Sequence, residues 1–499
     1  MQNQIRQGLN PYLPLNEYIP DAEPHVFGDR IYIYGSHDKE RGNTYCMLNY
    51  TVWSAPVDDL TNWRCEGDIY SSKQDPLSNS ERPFMFAPDV VRGNDGRYYL
   101  YYCLSGYKGK GGYYGPISVA VCDSPAGRYE YYGVVKNPDG STFDEFVLFD
   151  PALINDNGRI HLYYGTLYLF DEVRNKVVGP IFDKIMSGMF GKSKEQIKNA
   201  RKSHGSIMGP IHVELKDDML TVASQPSRIH PPCVKGTSFE QHPFFEASSI
   251  RKVGETYYFI YSSRKGHELC YATSKYPDRD FIYGGVIISN GDIGYQGRKP
   301  KDRVNATGTN HGSIEKIGDS WYVFYHRGTH RTDYSRQGCA EKIQLQPDGS
   351  IKQIEVTSLG LNNSPLLDRG IYPAPICCNL SNRHMPHVAN RKIRSGFPAV
   401  YSDEKYRFIA DIKSNTFIGY KYFSFQTATK MIVTIRGNAV GKLLVKHKLE
   451  GDIIGIINIS SSNEWTQFET DISITMGTYP LYFIYQGKGS FDLLQFEFR

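Results

Sequence analysis

Five segments of the chain repeat one pattern, a glycine-centred turn followed by alternating β-branched and aromatic residues. They are GDRIYIYGS from Gly28, GRYYLYYCL from Gly96, GRIHLYYGT from Gly158, GETYYFIYSS from Gly254 and GDSWYVFYHR from Gly318. Alternation marks a strand, and the turn ahead of it marks the return arm of a hairpin. The turn glycines lie 68, 62, 96 and 64 residues apart. That is the length of one small antiparallel sheet, with about 30 extra residues in the third interval. A sheet-sized repeat in an all-β chain predicts a propeller, and five occurrences predict five four-stranded blades.

Seven or eight positions before each turn glycine stands an ionisable residue: Asp21, Asp89, Asp150, Glu246 and His311. Equivalent positions in a propeller are related by rotation about its axis, so these five should ring one mouth of the central channel. Asp and Glu are depleted in strands and costly to bury, so folding preference alone does not place four acids there. Any one of them could be a solvated turn residue; five in register point to a site. Clustered carboxylates at a concave mouth suit glycosidic bond hydrolysis. One acid protonates the leaving oxygen, one carboxylate activates water, and a third charge keeps the proton on the correct partner.

Composition narrows the partners. Lys and Arg number 57 against 53 acids, a net +4 over 499 residues without long like-charge blocks, which argues against nucleic acid or an anionic membrane. The 38 tyrosines favour strands and polar, ring-shaped ligands. No export signal or apolar span of membrane length is visible. The nine cysteines are scattered, only Cys377 and Cys378 being adjacent. Reduced thiols in a cytoplasmic protein are the expectation.

The motifs PDAEP, FAPD, FDPALI, FFEASSI and NHGS, each followed by its glycine and aromatic strand, resemble glycoside hydrolase family 43 over roughly residues 10–355. The resemblance implies a five-bladed propeller in which Asp21 is the general base, Asp150 adjusts the pKa and orients the acid, and Glu246 is the general acid. Family members commonly carry Asp-Pro at the first motif, whereas Ala22 and Glu23 follow Asp21 here, which leaves Glu23 a rival. The resemblance further implies that His311 lies at the axis beside a water-coordinated calcium, although calcium prefers oxygen ligands. It places Arg327 beside Asp150 as a cation that keeps it ionised; an ordinary salt bridge is the alternative. Phe86 stands where many members have a sugar-stacking Trp, or else belongs to the core, and Asp89 joins the substrate-binding set. No cofactor is required for the chemistry.

The propeller is expected over residues 1–366, with an insertion at about 166–235. Within it, Ile181–Lys202 has helical spacing, either as a lid over the axial mouth or as a hairpin on the rim. A linker is expected over 367–403 and a β-sandwich over 404–499. The sandwich is similar to family 6 carbohydrate-binding modules, though Trp465 fits a core as well as a sugar platform. The resulting expectation is an inverting, exo-acting hydrolase that releases α-L-arabinofuranosyl or β-D-xylosyl residues from oligosaccharides or polysaccharide side chains. A retaining fructosidase of related architecture and a silent sugar-binding propeller are the alternatives; the first lacks its Asn-Asp-Pro and Arg-Asp-Pro motifs here, and loss of one of the three acids would have favoured the second.

Overall fold

The computed structural model describes residues 4–499 except 7, 107–114, 145–146, 167–177, 191, 203–208, 232, 265 and 388–395. Each of the five repeat glycines adopts a positive φ, between 58° and 93°, at a hairpin turn. This is the left-handed region that a glycine reaches without steric cost. Four of the turns are two-residue loops, for example Phe27 opposite Arg30 and Ile317 opposite Ser320, so each repeat folds locally before it packs.

Five antiparallel sheets, I to V, follow along the chain. Their first strands are Glu23–Phe27, Met85–Arg92, Ala152–Asp156, Phe244–Val253 and Ser313–Ile317. These strands touch in a closed cycle, each against the next and the fifth against the first. The acidic register is therefore brought to one axis. The sheets are not uniformly four-stranded: Gln4–Arg6 adds a fifth strand to sheet I, and sheet V has three. Along the outer edge of sheet V runs the N-terminal segment. Asn10 exchanges two hydrogen bonds with the Ala340 backbone, at 3.0 and 2.9 Å, and Tyr12 N donates to Gly338 O at 3.3 Å. The chain start thus stands in for part of the absent fourth strand and closes the ring.

The tyrosine excess has a structural cause. A tyrosine on the second strand of one sheet donates to a carbonyl in the turn after the third strand of the next. Tyr34 reaches Pro125, Tyr101 reaches Met219, Tyr163 reaches Pro277 and Tyr258 reaches Gly349, at 2.7, 2.5, 2.7 and 2.8 Å. All four rings are buried. A ring supplies apolar area between wedge-shaped sheets while its hydroxyl satisfies a turn carbonyl, so tyrosine answers both needs of the joint. The expectation that tyrosine marks ligand binding gives way to this role at these four positions.

The insertion expected at 166–235 is narrower. Within that range, Ile211–Leu215 and Ser227–Arg228 are the third and fourth strands of sheet III. The excursion lies between Tyr164 and Ile211 and carries the helices Val178–Phe190 and Lys194–Lys202. At its neck Gly165 and Gly209 pack so closely that a Cβ on Gly165 would lie 1.8 Å from Gly209 O.

Residues 367–403 are not a bare linker. Leu366–Leu367, Gly370–Pro373, Asn379–Ser381 and Ala399–Ser402 pair into the two six-stranded sheets of the C-terminal sandwich. Strands of two to four residues rich in Pro, Gly and Asn carry too few alternations to read from sequence. Phe423, Phe425, Phe483, Phe496 and Phe498 form the core between the sheets. Propeller and sandwich share an apolar contact of Val304 with Phe417, Leu444 and Ile484. Beside it, Lys421 pairs with Glu355 at 2.7 Å. No helix among the described residues is long and apolar enough to cross a membrane.

Candidate active site

The backbone is bent at the motif positions. Asp21 and Asp150 themselves have φ of 57° and 45°, and Ala247, next to Glu246, has 67°. Ala87, two residues before Asp89, has 29°. Register shifts flank Glu246 in its strand and separate Phe86 from Asp89 in theirs. Such bulges re-aim side chains at the start of a strand, and non-glycine residues hold these angles only where the surroundings enforce them.

Around the buried His311 three acids converge. Its Nδ1 lies 3.9 Å from Asp21 Oδ1 and 3.8 Å from Asp150 Oδ2, and its Nε2 lies 4.0 Å from Glu23 Oε1. Asp21 is 5 % exposed. Burial pushes its carboxyl up, but the Arg336 guanidinium, 2.8 Å away, together with His326, His311 and Ser36, outweighs it and brings Asp21 down to about 2. His326 accepts the Asp21 backbone N–H on Nδ1 at 3.1 Å. Burial lowers that histidine to about 3, so it stands neutral with its proton on Nε2, facing Thr309 Oγ1 at 3.3 Å.

Asp150 behaves differently. Burial first, then the charges of Glu246 and Asp21, lift it well above the usual carboxylate range, against a single backbone bond from Ala247 N at 2.8 Å and the pull of Arg336. Asp150 thus holds its proton above the usual carboxylate range because it is buried beside Glu246. The expectation that a nearby cation keeps Asp150 ionised does not hold, because Arg336 is committed to Asp21. Glu246 itself is half-buried, more accessible than Asp21 or Asp150.

Arg327 is not the cation beside Asp150. Its guanidinium donates to Cys378 O and Cys377 O at 3.0 and 2.8 Å, clamping the propeller to the chain entering the sandwich. Side chains alternate along a strand, so His326 turns to the axis and Arg327 to the opposite face. Arg336, on the next strand, supplies the charge. Sequence reading passed over it because it belongs to no turn-glycine register; a lone Arg at the start of a strand was the available signal.

Asp89 is fully buried, with both oxygens engaged. His25 Nε2, Val90 N and Leu153 N approach it at 2.6, 2.7 and 2.6 Å. It pins sheets I, II and III together and is closed off from a sugar. Glu23 is also interior, held by Ser249 Oγ at 3.1 Å and Arg251 at 3.2 Å. Burial and the Asp89 charge raise Glu23 to about 8, so it is a protonated axial residue and a poor base. Phe86 is 6 % exposed, edge-on to Phe149 at 6.2 Å, and belongs to the core. Two half-buried rings lie beside Arg336 instead: Tyr45, 4.8 Å from its guanidinium, and Tyr334, packed edge-on against Tyr45.

His311 Nε2 and Glu23 Oε1 are both buried without a hydrogen-bond partner. Calcium takes six to eight oxygens, and this pair offers one nitrogen and one oxygen, so the site fits a water or an ion reached chiefly through waters. Among the described residues the donors that cluster within 4.8 Å are Glu23, His25 and Asp89. His311 stands beside that group.

Comparison with known proteins supplies the family. The profile of glycosyl hydrolases family 43 matches residues 10–209. A xylosidase/arabinosidase of Thermoclostridium stercorarium is 44% identical over 506 residues, 98% of each chain. Xylosidase/arabinosidase 43A of Humicola insolens is 29% identical over 355 residues, 67% of this chain and 96% of its own. A solved β-xylosidase/α-arabinofuranosidase from a compost microbial metagenome, in complex with xylotriose and calcium-free, is 26% identical with a TM-score of 0.52, covering 70% of this chain and 98% of its own. With its acidic register gathered about one buried histidine and a relative similar along nearly its whole length, the chain belongs to glycosyl hydrolase family 43.

Proposed function

We propose that this enzyme is an inverting, exo-acting glycosidase that releases α-L-arabinofuranosyl or β-D-xylosyl residues from plant-derived oligosaccharides. The observation that carries the reading is the contrast between two neighbouring buried acids: Arg336 Nη1 donates to Asp21 Oδ1 at 2.8 Å and favours its carboxylate, whereas Asp150 lies beside Glu246 and is raised by burial and that charge. Asp21 takes the proton of an attacking water. Glu246, more accessible than Asp150, delivers its proton to the leaving oxygen while the Asp150 charge tunes it; after product release Asp21 gives the water proton to solvent and Glu246 takes one back. These steps need no cofactor. The pentose preference follows the names of the relatives.

Three further parts of the reading go with it. A structural calcium, if bound, would be held through waters by His311 and would add positive charge beside Asp21. The excursion after Tyr164 serves as a lid, supported by Gly165 N donating at 2.7 Å to Phe149 O, next to Asp150. The sandwich serves as a carbohydrate-binding module, and its Trp465, covered by Arg436 at 4.3 Å, is a structural ring. No disulfide joins cysteines among the described residues, which supports a reducing compartment.

The test is parallel turnover of 4-nitrophenyl α-L-arabinofuranoside and β-D-xyloside by the wild type, Asp21→Asn and Glu246→Gln. Hydrolysis of at least one substrate, lost in Asp21→Asn, supports the assignment. Full activity of Asp21→Asn overturns it.

A further inference from the structure

We infer that Asp38 is a positioning residue, fixing the Arg336 guanidinium in the orientation from which it holds Asp21. The inference rests on the proposed role of Asp21 as general base. Asp38 follows the strand Arg30–Tyr34 and is fully buried. Its Oδ2 accepts from Arg336 N at 3.0 Å and Nε at 2.9 Å; its Oδ1 accepts from Arg336 Nη2 at 3.0 Å and from Cys46 N at 2.9 Å. Three of these four bonds go to one arginine. A guanidinium is planar and presents its donors in a rigid fork, so two-pronged engagement by Asp38 leaves the Nη1 edge to meet Asp21 Oδ1, at 2.8 Å. Tyr45 lies 4.8 Å from the guanidinium and Cys46 Sγ is 3.4 Å from Nη2. The arginine therefore has one seat, and Asp38 defines it.

Among the side chains facing Asp21, Arg336 is the standing positive charge. From the neighbouring elements come His326, His311, Asp150, Cys46 and Tyr50. Burial disfavours the charged form of both histidines, and the remaining three supply no positive charge. Asp38 also competes with Asp21 for the same cation. By charge alone, removing it would strengthen the hold of Arg336 on Asp21; by position, removing it would free a long side chain to turn away. The two effects have opposite signs, so the direction of the change identifies the role.

Asp38→Asn keeps the size but turns an amide N–H₂ toward the arginine donors. The pH profile of kcat/KM on whichever aryl pentoside is turned over is measured beside Asp21→Asn, Arg336→Lys and the double variant Asp38→Asn/Arg336→Lys. Thermal unfolding and circular dichroism on the same samples report folding. The expected result is an acid limb raised by about one pH unit, with kcat about tenfold or more lower and KM within about threefold. Arg336→Lys, which keeps the charge without the fork, should behave likewise, and the double variant should be no worse than the poorer single, because both break one unit. An acid limb in folded Asp38→Asn that is unchanged or moves to lower pH overturns the inference. If that variant does not fold, a wild-type acid limb in Arg336→Lys overturns it instead. Full activity of Asp21→Asn removes the general-base reading and this inference with it, whereas loss in Asp21→Asn without change in Asp38→Asn refutes positioning alone.

Discussion

Replacing Arg336 by Met removes the charge while keeping an apolar stem of similar reach, and its consequences can be worked from the site. Asp21, brought from 3.8 down to about 2, gains about 2 kcal/mol of stability for the folded state from its partners. The sign follows from the depression. This stability is fully present above about pH 4 and is lost as pH falls toward 2. In Arg336→Met the lowering charge is gone and burial of Asp21 acts with little opposition, so its carboxyl ionises above the usual range. The group then destabilises the fold at neutral pH, and acid relieves it. Asp38, fully buried, loses its partner at the same time. Removing one member of a buried ion pair costs about 3–5 kcal/mol, so the variant should be less stable than the wild type by about that much at pH 7 and by clearly less at pH 4. Urea unfolding at the two pH values reads the first effect, and the acid limb of kcat/KM, emerging above pH 4, reads the second. A stability difference that is the same at both pH values, with an unmoved acid limb, would show that Arg336 does not set the ionisation of Asp21.

Glu246→Gln should impair substrates with poor leaving groups most, because an activated aryl group needs less protonation; equal losses on nitrophenyl glycoside and xylo-oligosaccharide contradict the general-acid role. Tyr163→Phe should lower stability by about 1 kcal/mol through the bond lost to Pro277 O, with kcat unchanged, as measured by urea unfolding and aryl glycoside turnover. Arg327→Met removes the side-chain donor to Cys377 O and one of three to Cys378 O, which Asn305 and Asn379 also reach, and should lower the midpoint of thermal unfolding, while the acid limb of the small-substrate profile stays in place. A shifted limb would return Arg327 to the active site.

The fold was legible because its unit is local. A turn glycine and six alternating residues reappear as a hairpin at every occurrence, and rotation carries the equivalent acids to one axis. The site was legible as far as that register reaches: Asp21, Asp150 and His311 meet as the spacing implies. Beyond it, sequence order loses its hold. Arg336 and Asp38 are 298 residues apart and become neighbours only on ring closure, which no local pattern encodes. Asp89 and Asp150 stand seven and eight residues before their turn glycines, yet one has both oxygens engaged by two backbone N–H groups and His25 while the other is raised by burial and the Glu246 charge. That difference lies in bulges and backbone angles that a single sequence does not display. The pairing strands inside 367–403 escaped for a simpler reason, being shorter than two alternations.

The central claim is that water, activated by Asp21, displaces a leaving group protonated from the opposite side by Glu246. Proton NMR of the first sugar released by the wild type tests it directly, before mutarotation scrambles the anomers. From a β-D-xyloside the account predicts α-xylose first, and from an α-L-arabinofuranoside the β-anomer. First-formed sugar that retains the configuration of its substrate would make Asp21 a nucleophile and contradict the mechanism.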